Sequence, residues 1–212
     1  MARPRTFDEE TVLDRALDVF WAQGYAATSV QDLVDAMEIN RASLYNTFGG
    51  KHALYMAALR RYEERWTTKL LETLDGADDA LGGLRALLES VADDAADCPK
   101  RGSCLLTNAA TELGHRDADT AEQVTATFQH MEDALAKTVE RGQTAGDIPA
   151  EADARALARF LLNGLQGLRV LARTRPDRDA LQDIVDTLLA AVRTGATTRE
   201  DAAPPIPSDA TG

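Results

Sequence analysis

The fold of this chain is decided by TSVQDLVDAMEINRASLYNTFGGKHAL, residues 28–54, which is typical of two short helices joined by a tight turn. Ser29 or Thr28 can cap the first helix, since either hydroxyl can accept from a free backbone N–H one turn later. Ser29 and Asp32 also have the spacing of a capping box. The apolar residues recur three or four positions apart, which predicts one buried face. They are Val30, Leu33, Val34 and Met37.

A second helix is predicted from about Arg41 to Phe48, with Asn40 as turn former and cap. Leu44 and Phe48 lie one turn apart and form its apolar side. The other residues are small or hydrogen-bonding, a surface that suits base edges and phosphates. They are Arg41, Ala42, Ser43, Tyr45, Asn46 and Thr47. The turn and the periodicity alone would favour an ordinary three-helix packing unit.

Residues 7–55 resemble the DNA-binding domain of the tetracycline-repressor-like (TetR) family of bacterial transcriptional regulators. The pattern is long and ordered, which makes it more specific than a single short motif. The matching residues are Ala16, Phe20, Gly24, Tyr25, Ala27, Thr28, Ser29, Val30, Asp32, Leu33, Ala42, Ser43, Leu44, Tyr45, Phe48, Lys51, Ala53 and Leu54.

The resemblance implies a regulator that binds double-stranded DNA at an inverted-repeat operator as a homodimer. The resemblance also implies a repressor that a small-molecule effector releases from DNA. By resemblance, the phosphate-contacting positions are Tyr45, Thr47 and Lys51, with Thr28 as a further anchor. The candidates nearest to base edges are Arg41, Ala42, Ser43 and Asn46.

Composition predicts an all-α protein, because Ala and Leu are abundant and no β-branched alternating runs occur. Breaks at Gly and Pro divide the chain into about nine helices. We expect a helix-turn-helix domain over residues 1–50 and a helical domain for effector binding and dimerisation over residues 51–194. Residues 195–212, with three prolines among small polar residues, are expected to be disordered.

The net charge of −12 is unfavourable for DNA binding, because phosphate attraction supplies most nonspecific affinity. The acidity is concentrated after the first domain: residues 1–65 carry 8 Lys and Arg against 10 Asp and Glu, and residues 66–212 carry 15 against 25. Arg3 and Arg5 form a short basic arm that either reaches a minor groove or is simply a solvated terminus.

Neither a signal peptide nor a run of eighteen apolar residues is present, so we expect a cytoplasmic protein without a membrane partner. The three histidines have no metal-ligand spacing. Phosphate-binding glycine loops and nucleophile elbows are absent too. We therefore expect no enzyme activity, no metal and no cofactor.

The last two predicted helices, about Ala150–Arg173 and about Asp177–Thr194, are too apolar for the surface of a monomer. The resemblance implies that they form a four-helix dimer interface, and a fully buried central helix is the alternative. Predicted interface residues are Phe160, Gly164, Leu165, Leu168, Leu181, Ile184 and Leu188.

Candidate effector-binding residues lie in the second domain, although aromatic residues at helical spacing are more often core. They are Trp66, Cys104, Asn108, Phe128 and Met131. Cys104 follows Lys100 and Arg101 and stands near a helix start, which favours a thiolate. An oxidant- or electrophile-sensing repressor that acts through Cys104 is therefore one alternative; whether Cys98 has a function is left open. A helical protein-binding module without DNA is the other.

Overall fold

The computed structural model describes residues 7–97, 104–174 and 176–195, and every regular element in these ranges is an α-helix. The prediction of an all-α fold is confirmed. The helices are α1 Glu9–Gln23, α2 Val30–Met37, α3 Arg41–Phe48, α4 Lys51–Asp75, α5 Ala80–Asp97, α6 Leu105–Leu113, α7 Ala118–Ala145, α8 Ala154–Thr174 and α9 Arg178–Thr194. The arm with Arg3 and Arg5, Cys98, and residues 196–212 lie outside the described ranges.

The first three helices begin where side-chain caps occur in the sequence. Asp8 accepts from the backbone N–H of Thr11 at the start of α1. Ser29 and Asp32 form the predicted reciprocal capping box at α2. Asn40 accepts from the Ser43 backbone N–H at 2.8 Å and so fixes the start of α3. These caps satisfy backbone donors that would otherwise be unpaired.

Helix α4 packs along α1 and joins the N-terminal helices to the rest of the chain. Phe20 is fully buried and meets the ring of Tyr55 edge-on, with ring centroids 5.0 Å apart. Arg61 donates to Asp14 at 3.1 Å, and Arg65 donates to the same carboxylate at 2.5 Å. Both arginines thereby hold α4 against α1.

Helix α8 lies at the centre of the C-terminal helices, where it packs against α5, α7 and α9. Leu165 and Leu168 on α8 are completely buried, as is Val185 on α9. Gly164 permits the close approach of α9, because a Cβ there would lie 2.5 Å from Leu188 Cδ1. Within the described ranges, none of these helices combines the length and the apolarity that crossing a bilayer requires.

Candidate nucleic-acid interface and buried donor cluster

The outer face of α3 carries the predicted DNA-contacting side chains on one continuous surface. Leu44 is fully buried and anchors the helix from behind. Tyr45 is 46% exposed, the largest exposure of any aromatic residue in α3. Arg41, Ala42 and Asn46 are exposed, while Ser43 and Thr47 are half-buried.

Two cations of this region remain without a carboxylate partner. Arg15 is paired with Glu38 at 2.6 Å, whereas Arg41 and Lys51 form no ion pair with any described residue. Lys51 Nζ lies 4.3 Å from the centre of the Tyr25 ring. Lys51 also opens α4, whose N-cap, Gly50, supplies no side-chain hydrogen bond. The first backbone N–H groups of α4 are thus available to an anion such as a phosphate.

Thr28 does not belong to this exposed surface, which corrects one predicted DNA contact. Its side chain is 1% exposed, and its hydroxyl donates to the backbone oxygen of Gly24 at 2.6 Å. A buried hydroxyl that is already hydrogen-bonded stabilises the turn between α1 and α2 and cannot reach a phosphate. The cap of α2 is supplied by Ser29 instead.

The predicted effector-binding residues occupy the interior between α4, α6 and α7. Trp66, Cys104 and Met131 are buried, and Phe128 and Asn108 are half-buried. The Tyr62 hydroxyl donates to Cys104 Sγ at 3.7 Å. Burial raises the pKa of Tyr62, so this hydroxyl keeps its proton. Reactive thiols are partly exposed, whereas Cys104 is 2% exposed, so its burial argues against a sensing cysteine.

Three polar side chains that were not predicted from the sequence lie on α6 and α8 near Trp66. The guanidinium of Arg169 stacks over the Trp66 ring at 3.7 Å from its centre. One turn earlier on α8, Gln166 accepts from the Thr107 hydroxyl of α6 at 2.8 Å. We call Trp66, Thr107, Gln166 and Arg169 the buried donor cluster. The signal that could have revealed it is the isolated cation within the apolar run of α8.

The dimer-interface prediction is wrong for four residues. Leu165, Leu168, Leu181 and Leu188 are at most 6% exposed and pack inside the protomer core. Gly164 serves the contact between α8 and α9 described above. The exposed apolar side chains of α8 are Phe160, Val170 and Leu171 at 41%, 52% and 48%. Ile184 on α9 is half-buried.

Helix α6 and the start of α7 contact the N-terminal helices through hydrogen bonds. The Glu112 carboxylate, in the last turn of α6, accepts from the backbone N–H groups of Tyr25 at 2.9 Å and Ala26 at 2.5 Å. His52 pairs with Asp117 at 2.6 Å. Hydrogen bonds from Thr120 and His52 lower the pKa of Asp117.

One group of side chains has the composition of a metal site. Donor atoms of His52, Asp117 and Asp119 lie within 4.8 Å of one another. The hydrogen bond between His52 and Asp117 accounts for two members of this group, and exposed acidic groups often cluster without an ion. We therefore assign no metal to this group.

Comparisons with known proteins match both the N-terminal and the C-terminal part of the chain. The family model for bacterial regulatory proteins of the tetR family matches residues 12–58, and the model for the tetracyclin repressor-like C-terminal domain matches residues 80–188. The transcriptional regulator YezE of Bacillus subtilis is 32% identical over 89% of this chain and 98% of its own. The transcriptional repressor ComR of Escherichia coli is 30% identical, and the match covers 88% of this chain and 90% of ComR.

Solved structures show the same similarity. A cysteine mutant of the TetR family regulator CifR, complexed with 26-bp operator DNA, is 33% identical and superposes with a TM-score of 0.81. The match covers 90% of this chain and 100% of that one. The NemR protein of E. coli in its reduced form has a TM-score of 0.74 at 17% identity, which supports the fold.

Proposed function

The chain belongs to the TetR family of bacterial transcriptional regulators, and from this premise we propose that it is a dimeric repressor released from its operator by a small molecule. The observation that carries the proposal is the exposed face of α3, with Arg41 free of any described carboxylate. It acts in the cytoplasm, where the DNA is. The boundary between the DNA-binding and effector domains is proposed near residue 50.

The residues at this surface divide into two roles. Tyr45, Thr47 and Lys51 contact phosphates, and the free N–H groups at the start of α4 support them. Arg41, Ala42, Ser43 and Asn46 face base edges in the major groove. An Arg that binds guanine through two hydrogen bonds is the commonest specific contact of this kind.

Dimerisation is proposed through the apolar side chains that α8 exposes. Phe160, Val170 and Leu171 are each at least 41% exposed, which is unusual for large apolar residues on a single helix. A second copy would cover them, with the half-buried Ile184 of α9 at the edge. The two α3 helices then enter successive major grooves about 34 Å apart, which requires an inverted-repeat operator.

Release is proposed to depend on α6. Its first turn carries Thr107, which is bonded to Gln166 of α8, and its last turn carries Glu112, which is bonded to the loop between α1 and α2. An effector that shifts α6 thereby changes the position of the N-terminal helices. If it binds better to the state with poor DNA geometry, it must lower DNA affinity by the same factor.

The proposal is tested by a gel shift with DNA from upstream of the protein's own gene, in the presence of excess unrelated competitor DNA. We expect a discrete complex that resists the competitor and contains two protomers. Binding that the competitor removes completely would leave only nonspecific attraction and would contradict a regulator of this gene.

A further inference from the structure

We infer that the effector is a small organic carboxylate, bound by Arg169 together with the indole N–H of Trp66 and the amide of Gln166. This inference rests on the proposed function, because it names the chemistry of the ligand that releases the regulator from DNA. Its basis is a set of buried hydrogen-bond donors in the C-terminal helices that no described group satisfies.

Arg169 is a buried cation without a counter-charge among the described residues. It is 7% exposed, and no described carboxylate lies within 4.0 Å of its guanidinium. Its Nη1 atom is buried and has no hydrogen-bond acceptor. Stacking over Trp66 compensates part of the lost hydration, but it supplies no acceptor to the N–H groups of Nη1. Buried charges are normally paired, so this position favours an anionic ligand.

Two further donors beside Arg169 are also unpaired. Trp66 Nε1 and Gln166 Nε2 are buried atoms without an acceptor. The indole nitrogen can only donate, and the guanidinium holds no acceptor either, so a ligand must supply acceptors to both. Gln166 turns its amide oxygen to the Thr107 hydroxyl, which leaves its amide nitrogen as the unpaired group. The cluster is therefore complementary to a negatively charged group rich in acceptors.

A carboxylate fits this requirement best. It carries one negative charge and two oxygens with about four acceptor positions, and it pairs with a planar guanidinium through two parallel hydrogen bonds. The neighbours of the cluster residues in sequence are apolar and fully buried, namely Leu165 and Leu168 beside Gln166 and Arg169 on α8, and Leu106 beside Thr107 on α6. The ligand would thus combine a carboxylate with a small apolar body.

The location of the cluster connects this ligand to the proposed release of DNA. Thr107, which holds Gln166, lies on α6, and so does Glu112, which holds the backbone of Tyr25. A carboxylate that accepts from Gln166 Nε2 would reposition this amide and, through the hydrogen bond from Thr107 to its oxygen, the first turn of α6.

The test uses the Trp21→Phe variant, in which Trp66 is the remaining tryptophan and reports on its own surroundings by fluorescence. The probes are propionate and benzoate, each compared with its neutral amide, propionamide or benzamide. We expect a saturable fluorescence change with at least one carboxylate and at least about tenfold weaker binding of its amide. Absence of saturation with both acids, or equal binding of acid and amide, would overturn the inference.

The second part of the test uses the Arg169→Met variant. Its control is Arg173→Met, which changes an exposed arginine on the same helix. Arg169→Met should abolish the carboxylate response and should not lower the thermal midpoint of the ligand-free protein, because it removes an unpaired buried charge. A wild-type carboxylate response in Arg169→Met, or a large fall in midpoint without ligand, would show that the residue is structural.

The two proposals fail separately. The fluorescence titration needs no DNA, so a wild-type protein that binds its operator without any carboxylate response overturns the ligand assignment alone. Carboxylate binding to a protein that binds no specific DNA would instead contradict the proposed function.

Discussion

Glu112 accepts a hydrogen bond from the backbone N–H of Tyr25 at 2.9 Å, and this contact joins the end of α6 to the loop between α1 and α2. The same carboxylate accepts from Ala26. Gly24 allows the approach, because a Cβ at this residue would lie 2.9 Å from the Glu112 carboxylate and its φ of +81° disfavours other residues. Two backbone donors of the loop between α1 and α2 thus depend on one side chain of α6.

Glu112→Ala should destabilise the protein and weaken the coupling between effector and DNA. Loss of two charge-assisted hydrogen bonds should lower the free energy of unfolding by about 1–3 kcal/mol. Urea unfolding measures this change, with Glu122→Ala, an exposed glutamate on α7, as the control. Equal stability of the two variants would show that the Glu112 contact carries no energy.

Lys51→Ala and Arg41→Ala should have different effects on DNA binding. Lys51→Ala should weaken binding to all sequences and lower the salt slope by about one per protomer, because a phosphate contact is lost. Arg41→Ala should reduce the preference for the operator by about 1–3 kcal/mol, because a base contact is lost. Fluorescence anisotropy on operator and random duplexes, at several salt concentrations, separates the two. Equal effects of both variants on both duplexes would refute this division of roles.

Leu171→Glu should produce a folded monomer that binds DNA poorly, because a carboxylate is placed in the proposed dimer interface. Leu71→Glu on α4 is the matched control, with an exposed leucine at 43% against 48% for Leu171. Sedimentation of the three proteins at micromolar concentration gives the oligomeric state. A wild-type monomer, or a dimeric Leu171→Glu, would show that this face of α8 is not the interface.

Leu165→Glu should behave differently from Leu171→Glu, because Leu165 is completely buried inside its own protomer. A carboxylate at this position would be buried without a partner. The free energy of unfolding should therefore fall by several kcal/mol, which is a large part of a typical total. We expect loss of cooperative unfolding in circular dichroism. A Leu165→Glu protein that is folded, stable and monomeric would instead show that Leu165 lies in the dimer interface.

Asp117 gives the protein a pH-dependent contribution to stability. Its pKa is lowered in the folded state by the hydrogen bonds from Thr120 and then His52, so the stabilisation is present above the unfolded pKa. It is lost as the pH falls below about 4, through the depressed folded value. Thr120→Val, which removes the first hydrogen bond, should therefore lower the thermal midpoint more at pH 6 than at pH 3. A midpoint difference that does not change with pH would contradict this assignment.

The N-terminal helices could be predicted closely because local chemistry determines them. Ser29, Asp32 and Asn40 cap α2 and α3 through bonds to residues three positions away, and such bonds are visible in the sequence. The prediction that Thr28 contacts DNA was wrong because its side chain forms a different local hydrogen bond. Its hydroxyl bonds backward to Gly24, a choice that depends on the conformation of the turn.

Features that depend on packing between distant helices could not be predicted. Leu165 and Leu171 are both leucines on one strongly apolar helix, and only the positions of α5, α7 and α9 determine that the first is core and the second exposed. Arg169 meets Trp66 across 103 residues of sequence. The hydrogen bond from Tyr25 to Glu112, which are 87 residues apart, could not be predicted from the sequence either.

Selection of bound duplexes from a random DNA library, followed by sequencing, tests most directly the central claim that α3 reads an operator as one of two symmetric copies. We predict enrichment of a single inverted repeat whose half-sites are centred about 34 Å apart or a small multiple of that distance. The same selection with Arg41→Ala should lose the preference at one position in each half-site. Recovery of unenriched random sequence by the wild-type protein would contradict the account.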